Sequence, residues 1–402
     1  MADPPPLRWG ILSPATIAAT FVHVIHATAP DGIITAVASR DVARAAAFID
    51  EHLSPPPGGD GSPPVAAVGG YDALLGRPDV DAVYVPLPTA LAVDWSVRAV
   101  RAGKHVLVDK PFSSAAGVRA MADAAAAAGV VFLDGTHWPH APWAVAARAA
   151  VASGRLGRLR RIVASFTAPI MVAGNIRGDP ALEPHGALGD LGWYCARVAT
   201  HTLGAAAAAD IVSAYGVGEW AGDGDGRVLL SAVAVVAFRN GTTLSFDVDF
   251  SGGLRQRFEL VGDTASLAVD DFVIPPASTP SFEALRPAGA ASVDHPYTRT
   301  TTAAVAPPRE GNGADEPPAV GGQPRALRLV YPHVETVTVS GGGRNQPTHM
   351  VTAFTAAVRA GAGGAADAAR WAAEAVATQR ILDLLFESIG QGRPVYPGKE
   401  DA

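Results

Sequence analysis

Short apolar runs alternate with helically spaced apolar positions along the first third of the chain. Residues 7–12, 32–38, 81–86, 106–108 and 130–134 each read as a brief strand of the buried, parallel kind. Between them, residues 16–28, 41–53, 90–102 and a stretch N-capped by Ser113 or Ser114 and running to 128 read as helices, with Asp41 as a first-turn acid. Such alternation predicts an α/β fold with a Rossmann-type doubly wound parallel sheet over residues 1–135. Residues 54–64, rich in Pro, Gly and Ser, read as a surface insertion that lengthens a loop without disturbing the core.

From residue 159 the pattern becomes strand-rich, with candidate strands at 159–167, 211–217, 228–238, 242–250, 256–261 and 266–269. Asn240-Gly241 between two of them is a hairpin signal. A second α/β domain over residues 136–402, built on a large open, mostly antiparallel sheet, is therefore expected. One helix at 186–203 interrupts it, a long surface loop is expected over 275–324, and a strand in two pieces from about 325 to 339 returns to the sheet. Helices at 346–359 and 365–389 complete the chain.

Composition narrows the classes. The 402 residues suffice for two domains and a sizeable core. A net charge of -7 with no basic stretch speaks against nucleic acid and against anionic membranes as partners. The single cysteine, Cys195, excludes an internal disulfide and suits a reducing compartment. The first residues lack a basic flank and an apolar segment, so a cytoplasmic location is expected.

Candidate chemistry gathers at strand ends. Lys110, placed between Asp109 and Pro111, must stand at or just past the end of the 106–108 strand, the edge where open α/β sheets bind ligands. Gly10, Ser13 and Ala15 form the strand–turn–helix of a dinucleotide unit; only Gly10 keeps the usual glycine pattern, while Ser13 and Ala15 are small enough to admit a pyrophosphate. Ser39 and Arg40 follow the second strand where an acid would bind a free ribose, and suit a 2′-phosphate instead, which points to NADP over NAD. Pro86 and Pro88 close the next strand on the same edge and join the candidate cofactor-binding set with Asp109 and Lys110. His137, Trp138 and His140 read as the lining of a substrate cleft. Prolines around them, and the lack of a carboxylate or cysteine at ligand spacing, argue against a metal.

The later stretch His185-Gly-Ala-Leu-Gly-Asp-Leu-Gly-Trp-Tyr194 puts Asp190 and Tyr194 on one helix face. Gly186, Gly189 and Gly192 leave a bare face for a ligand or another backbone. Lysine, tyrosine and an acid are the parts needed to move a hydroxyl proton while hydride passes to or from a nicotinamide. A nearby ammonium is expected to lower the phenol's pKa from roughly 10.

Together, the turn at Gly10, Ala-Ser-Arg at 38–40, Asp-Lys-Pro at 109–111 and Gly-x-Leu-x-Asp-x-Gly-x-Tyr at 186–194 resemble the glucose–fructose oxidoreductase / inositol dehydrogenase (Gfo/Idh/MocA) family. The chain looks most similar to the branch of dimeric dihydrodiol dehydrogenases and NADP-dependent xylose dehydrogenases. The resemblance implies that Lys110 is catalytic, often before a cis proline, that Asp190 and Tyr194 are its partners, and that the open sheet forms a homodimer. The expected activity is NADP-dependent hydride transfer to or from a CH–OH group of a small polyol, sugar or cyclic diol. A non-catalytic dinucleotide-binding regulator of the same fold is the competing reading.

Overall fold

Continuous apolar runs give the first sheet its buried strands: Ile11, Leu12, Val37, Val83, Val85, Val106, Leu107 and Val108 are all withdrawn from solvent. The computed structural model describes residues 4–28, 31–53, 64–170, 175–222, 224–274, 295–301, 333–339 and 344–397. In chain order, β1 (Leu7–Leu12), α1 (Thr16–Ala27), β2 (Gly32–Ser39), α2 (Val42–His52), β3 (Ala66–Gly69), α3 (Tyr71–Leu75) and β4 (Ala82–Val85) come first. Next are α4 (Thr89–Arg101), β5 (His105–Val108), α5 (Ala115–Ala128) and β6 (Phe132–Asp134). All pairings are parallel, in the order β3-β2-β1-β4-β5-β6. The order reverses between β1 and β4, which opens a crevice at the carboxyl ends of those strands. β3 and α3 go beyond the sequence expectation. Asp41 is not a first-turn acid: it N-caps α2, accepting the Ala43 N–H at 2.9 Å. Residues 54–63 of the Pro-rich insertion lie outside the described residues.

The second sheet follows α6 (Pro142–Ala152). It contains β7 (Leu159–Thr167), β8 (Ile211–Ala221), β9 (Val228–Phe238), β10 (Thr243–Asp249), β11 (Arg255–Gly262), β12 (Ala265–Asp270), β13 (His295–Thr301) and β14 (His333–Val339). Their order is β14-β13-β12-β11-β7-β10-β9-β8, antiparallel except for the β7–β10 pair, so the open, mostly antiparallel sheet is present. The β9–β10 hairpin turns at Asn240-Gly241, with Gly241 at φ +82°. β13 corrects the expectation of one uninterrupted loop from 275 to 324. Its flanks, and the first piece of the strand expected from 325, lie outside the described residues.

Between β7 and β8 the expected single helix is two, α7 (Gly186–Asp190) and α8 (Gly192–Leu203), followed by the short α9 (Ala205–Ala209). In a continuous helix the Tyr194 N–H would bond the Asp190 carbonyl. Here it bonds Leu191 O at 3.1 Å, and the Asp190 carbonyl accepts from Lys110 Nζ at 3.1 Å. The glycines serve packing rather than a ligand. A Cβ on Gly186 would lie 2.4 Å from Leu229 O, and one on Gly189 would lie 2.7 Å from His185 Cβ and 3.3 Å from Pro111.

Two C-terminal helices bind the halves together. α10 (Gln346–Ala360) returns to the first sheet's layer, where Phe354 packs on Trp9 (ring centroids 5.1 Å) and Arg359 pairs with Asp31 at 2.6 Å. α11 (Ala365–Gln391) packs on both α5 and α8. Among the described residues no helix is long and apolar enough to cross a membrane.

Candidate active site

Lys110 is delivered by the stiff end of β5. Beyond Val108, the Asp109 N–H bonds Val85 O at 3.1 Å and the Gly135 N–H bonds Val108 O at 2.7 Å. Gly135 must be a glycine, since a Cβ there would stand 2.6 Å from Asp109 Oδ1. The Lys110–Pro111 bond is cis. Past it, α11 holds the chain: Gln379 Oε1 accepts the Phe112 N–H at 3.1 Å and Asp383 Oδ2 the Ala115 N–H at 2.7 Å.

Lys110 Nζ then meets the second domain. It donates to Asp190 Oδ1 at 2.7 Å and lies 4.6 Å from the centre of the Tyr194 ring. The far carboxylate oxygen of Asp190 accepts from Arg177 Nε at 2.6 Å. Lys110, Asp190 and Tyr194 are thus one cluster, as the sequence suggests, and Arg177 is an addition to it. Arg177 stands on a 3-10 turn, Ile176–Gly178, in a polar loop that carries no pattern a sequence reading could use.

The charges settle the protonation states. Burial opposes ionisation of Asp190, but Lys110 and Arg177 hold its carboxyl well below the usual range. Burial also works against the Lys110 ammonium, yet the Asp190 carboxylate keeps its pKa above the ordinary value. The expectation for Tyr194 is reversed: burial outweighs the Lys110 charge, so the phenol's pKa is raised and the group keeps its proton. It is an acid with an ammonium beside it.

His137 stands near this group, its ring 6.1 Å from that of Tyr194. Burial, with the Lys110 charge adding to it, lowers its pKa to about 4, so it is neutral. Trp138 does not line a cleft. It is fully buried among Trp143, His201, Phe258 and Phe272, because the turn after β6 drives it into the core. His140 likewise packs edge-on against Trp371 at 5.5 Å, with its Nε2 buried and unpartnered among the described residues.

The dinucleotide crevice fits its group in one respect and differs in another. α1 follows its N-cap Ala15 with no side-chain cap and no acid in its first turn; the Ala18 N–H bonds Ala15 O at 2.8 Å, and the N–H groups of Thr16 and Ile17 ahead of it are left for an anion. Ser13, at φ +110°, makes the tight turn there and its N–H bonds Ala38 O at 3.0 Å. Gly10 answers to packing instead: a Cβ would meet Leu74 at 2.7 Å and Val80 at 3.1 Å. Ser39 is buried at the end of β2 with Arg40 exposed beyond it. Pro86 follows β4, and Pro88 is the residue before α4. Asp109 turns inward, accepting from Tyr84 OH at 2.8 Å, and burial raises its carboxyl to about 6.

Glu183 caps α4 from the other domain. Its carboxylate accepts the Thr89 N–H at 3.2 Å and the Thr89 hydroxyl at 2.5 Å, while Ala90 N donates to Leu182 O at 3.2 Å. The segment between Arg177 and Asp190 is thereby fastened beside the crevice.

Comparison with known proteins agrees with this layout. Residues 7–136 match an oxidoreductase family with an NAD-binding Rossmann fold, and residues 144–268 match the GFO/IDH/MocA C-terminal domain. A dTDP-3,4-didehydro-2,6-dideoxy-α-D-glucose 3-reductase of Streptomyces violaceoruber is 36% identical over 309 residues, 75% of this chain and 83% of that protein. The D-xylose 1-dehydrogenase (NADP(+)) 2 of Haloferax volcanii is 34% identical over 200 residues, 49% of this chain and 58% of its own, so the likeness to the sugar 3-reductase extends further than the one expected from the motifs. KijD10, a 3-ketoreductase from Actinomadura kijaniata solved with NADP and TDP-benzene, is 25% identical with a TM-score of 0.71, covering 95% of this chain and 98% of its own. A six-stranded Rossmann sheet whose strand β5 runs into Asp-Lys-Pro, joined to a second domain whose helices α7 and α8 supply Asp190 and Tyr194 beside an open sheet, belongs to the Gfo/Idh/MocA family of oxidoreductases, and this chain is a member of it.

Proposed function

We propose that the chain is an NADP-dependent oxidoreductase that interconverts a ketone and a CH–OH group on a sugar, with reduction the direction its resting site favours. The observation that carries this is the Lys110 ammonium held by Asp190 against a Tyr194 that keeps its proton. Bound NADPH would supply the hydride to the carbonyl carbon. Tyr194 gives its hydroxyl proton to the carbonyl oxygen, and Lys110 steadies the negative charge as it grows, first on that oxygen and then on the phenolate. Asp190, pinned by Arg177, keeps Lys110 charged and in place. The test is NADPH consumption with free and TDP-linked keto-sugars. Turnover with at least one of them is expected, with a reductive rate flat from about pH 7 to about pH 9, because both proton-bearing groups titrate higher than usual. NADPH binding without turnover of any ketone would leave the regulator as the better reading.

Cofactor choice rests on Arg40 and Ser39. An exposed guanidinium beyond β2 suits charge-assisted bonds to a 2′-phosphate, each worth about 1.5–3 kcal/mol. Asp41, committed to its cap, leaves no acid for a free ribose. NADP should bind at least roughly tenfold tighter than NAD, and Arg40→Ala should erase most of that preference with little change in saturated turnover. Equal binding of the two cofactors by the unmodified protein would refute the assignment.

We also propose that the chain pairs with a second copy through the open sheet. Tyr215 on β8, Val235 on β9 and Val163 on β7 lie in one exposed row with Ser245 of β10 between the two valines, and Val217 with Val233 begins the next, which continues into Asp247. Beside them, Arg255 pairs with Asp247 and Arg257 with Glu259, so both signs of charge border the apolar rows and a copy turned about a two-fold axis finds complementary groups. Sedimentation at micromolar concentration should give a dimer, shifted to monomer by Val233→Lys with Val235→Lys. A monomeric unmodified chain would end the proposal.

A further inference from the structure

Gln346, the first residue of α10, is almost wholly buried and uses both ends of its amide. Its Nε2 lies 3.1 Å from Phe272 O and its Oε1 lies 2.8 Å from His137 Nδ1. A backbone carbonyl can only accept, so the NH2 must face Phe272. The oxygen therefore faces the imidazole, and an amide oxygen can only accept as well. Nδ1 of His137 must carry hydrogen. On a neutral ring, the state that burial and Lys110 enforce here, Nε2 is then a bare acceptor.

Nε2 points away from Gln346 by the shape of the ring, and among the described residues no protein donor satisfies it. The amide that sets the tautomer is itself firmly held. Asn345 caps α10 through Thr348 N–H and hydroxyl at 2.9 and 2.7 Å, and the helix is anchored by Phe354 on Trp9.

We infer that Gln346 locks His137 as the Nδ1–H imidazole, and that its Nε2 accepts a hydrogen bond from a substrate hydroxyl on a carbon next to the one that Lys110 and Tyr194 serve. His137 is then a substrate-binding residue and Gln346 its positioning residue. The inference rests on the proposed function for where the substrate lies, and it narrows the substrate. The relatives' 3,4-didehydro-2,6-dideoxy sugar has no hydroxyl on either carbon flanking its 3-ketone, whereas this site asks for one. A site built to accept a hydroxyl proton discriminates against an analogue that lacks the group. The same tautomer keeps Nε2 of His137 from serving as the proton donor in reduction, since a bare nitrogen has no proton to give.

Two measurements test this. In protein labelled with 15N-histidine, the His137 signal, identified by its loss in His137→Phe, should show a protonated Nδ1 and an unprotonated Nε2 near neutral pH. A protonated Nε2 overturns the inference, with no substrate needed. In kinetics, a keto-sugar with the neighbouring hydroxyl should have a KM roughly tenfold or more below that of its deoxy counterpart, at similar kcat. His137→Phe and Gln346→Leu should each collapse that ratio, and Gln346→Leu should also let the Nε2–H form appear in the spectrum. A ratio near one in the unmodified enzyme, or one that both variants leave intact, overturns the inference. Loss of turnover in Lys110→Met is read separately, so failure here and failure of the proposed chemistry are told apart.

Discussion

Lys110→Met should lower the rate of ketone reduction by about two to four orders of magnitude, the usual share of a positioned proton-transfer pair. The fold should survive, because Asp190 keeps Arg177 at 2.6 Å when its lysine partner is gone. Tyr194→Phe should cost a similar factor, since the phenyl ring retains the packing on Phe166 (5.5 Å between centroids) and loses only the proton donor. NADPH should bind the Tyr194→Phe variant with affinity close to that of the unmodified protein. The double variant should lose little beyond the worse of the two, because the groups act on one oxygen as a unit. Single-turnover reduction with pre-bound NADPH is the measurement, since it isolates the chemical step from product release. Retention of more than about a tenth of the rate by either variant would remove that residue from the role given it here.

The second large effect concerns stability. Arg197, on α8 one turn past Tyr194, is wholly buried and pairs with Asp134 Oδ2 at 2.9 Å at the end of β6. Its next carboxylate, Glu374 on α11, is 3.7 Å away and is shared with Arg148 at 2.9 Å. The other oxygen of Asp134 accepts from the Thr136 hydroxyl, which takes the Trp193 indole N–H at 2.6 Å. Asp134→Leu strands the guanidinium, whose Nε and Nη1 already lack partners among the described residues. A loss of about 3–5 kcal/mol in unfolding free energy is expected, as for other broken buried pairs. Asp134→Leu combined with Arg197→Met should recover most of it, because a buried pair replaced by apolar groups leaves no charge unpaired. Urea unfolding followed by tryptophan fluorescence measures both. A loss under about 1 kcal/mol in the single variant would show that Glu374 alone suffices for Arg197.

In the first sheet, the strands that the sequence reveals are those whose side chains are largely buried on both faces. β1, β2, β4, β5 and β6 are read from unbroken apolar runs, and their ends fix where Lys110 must stand. β3 escapes notice because Ala-Ala-Val-Gly offers only Val68 to the core, and α3 is too short for a period to show. β13 is hidden by composition: His-Pro-Tyr-Thr-Arg-Thr-Thr sits within a stretch dominated by Pro, Gly and Ala. The break at Leu191 depends on an ammonium 80 positions earlier in the chain taking a helix carbonyl, which local spacing cannot foretell.

The site divides along the same line. Lys110, Asp190 and Tyr194 sit in motifs with fixed spacing and are legible. The charge partners of Tyr194 are legible too, but its burial is a tertiary property, and burial decides the direction of its pKa. Gln346 meets His137 across 209 positions, and Glu183 meets Thr89 across 94; neither pair leaves a trace in local pattern. Trp138 misleads because an aromatic beside two histidines has the composition of a cleft, while its indole fills the core.

The return of α10 to the first sheet bears on how this chain can be recombined with its relatives. A graft that exchanged the nucleotide-binding half by cutting only after β6 would leave Trp9 facing a foreign helix in place of Phe354, and Asp31 without Arg359. The transplantable unit is discontinuous: the first sheet with its helices, together with α10 some two hundred residues downstream. Because α10 also carries Gln346 while His137 stands just past β6, the hydrogen bond between them travels with that unit only if the cut is placed beyond His137.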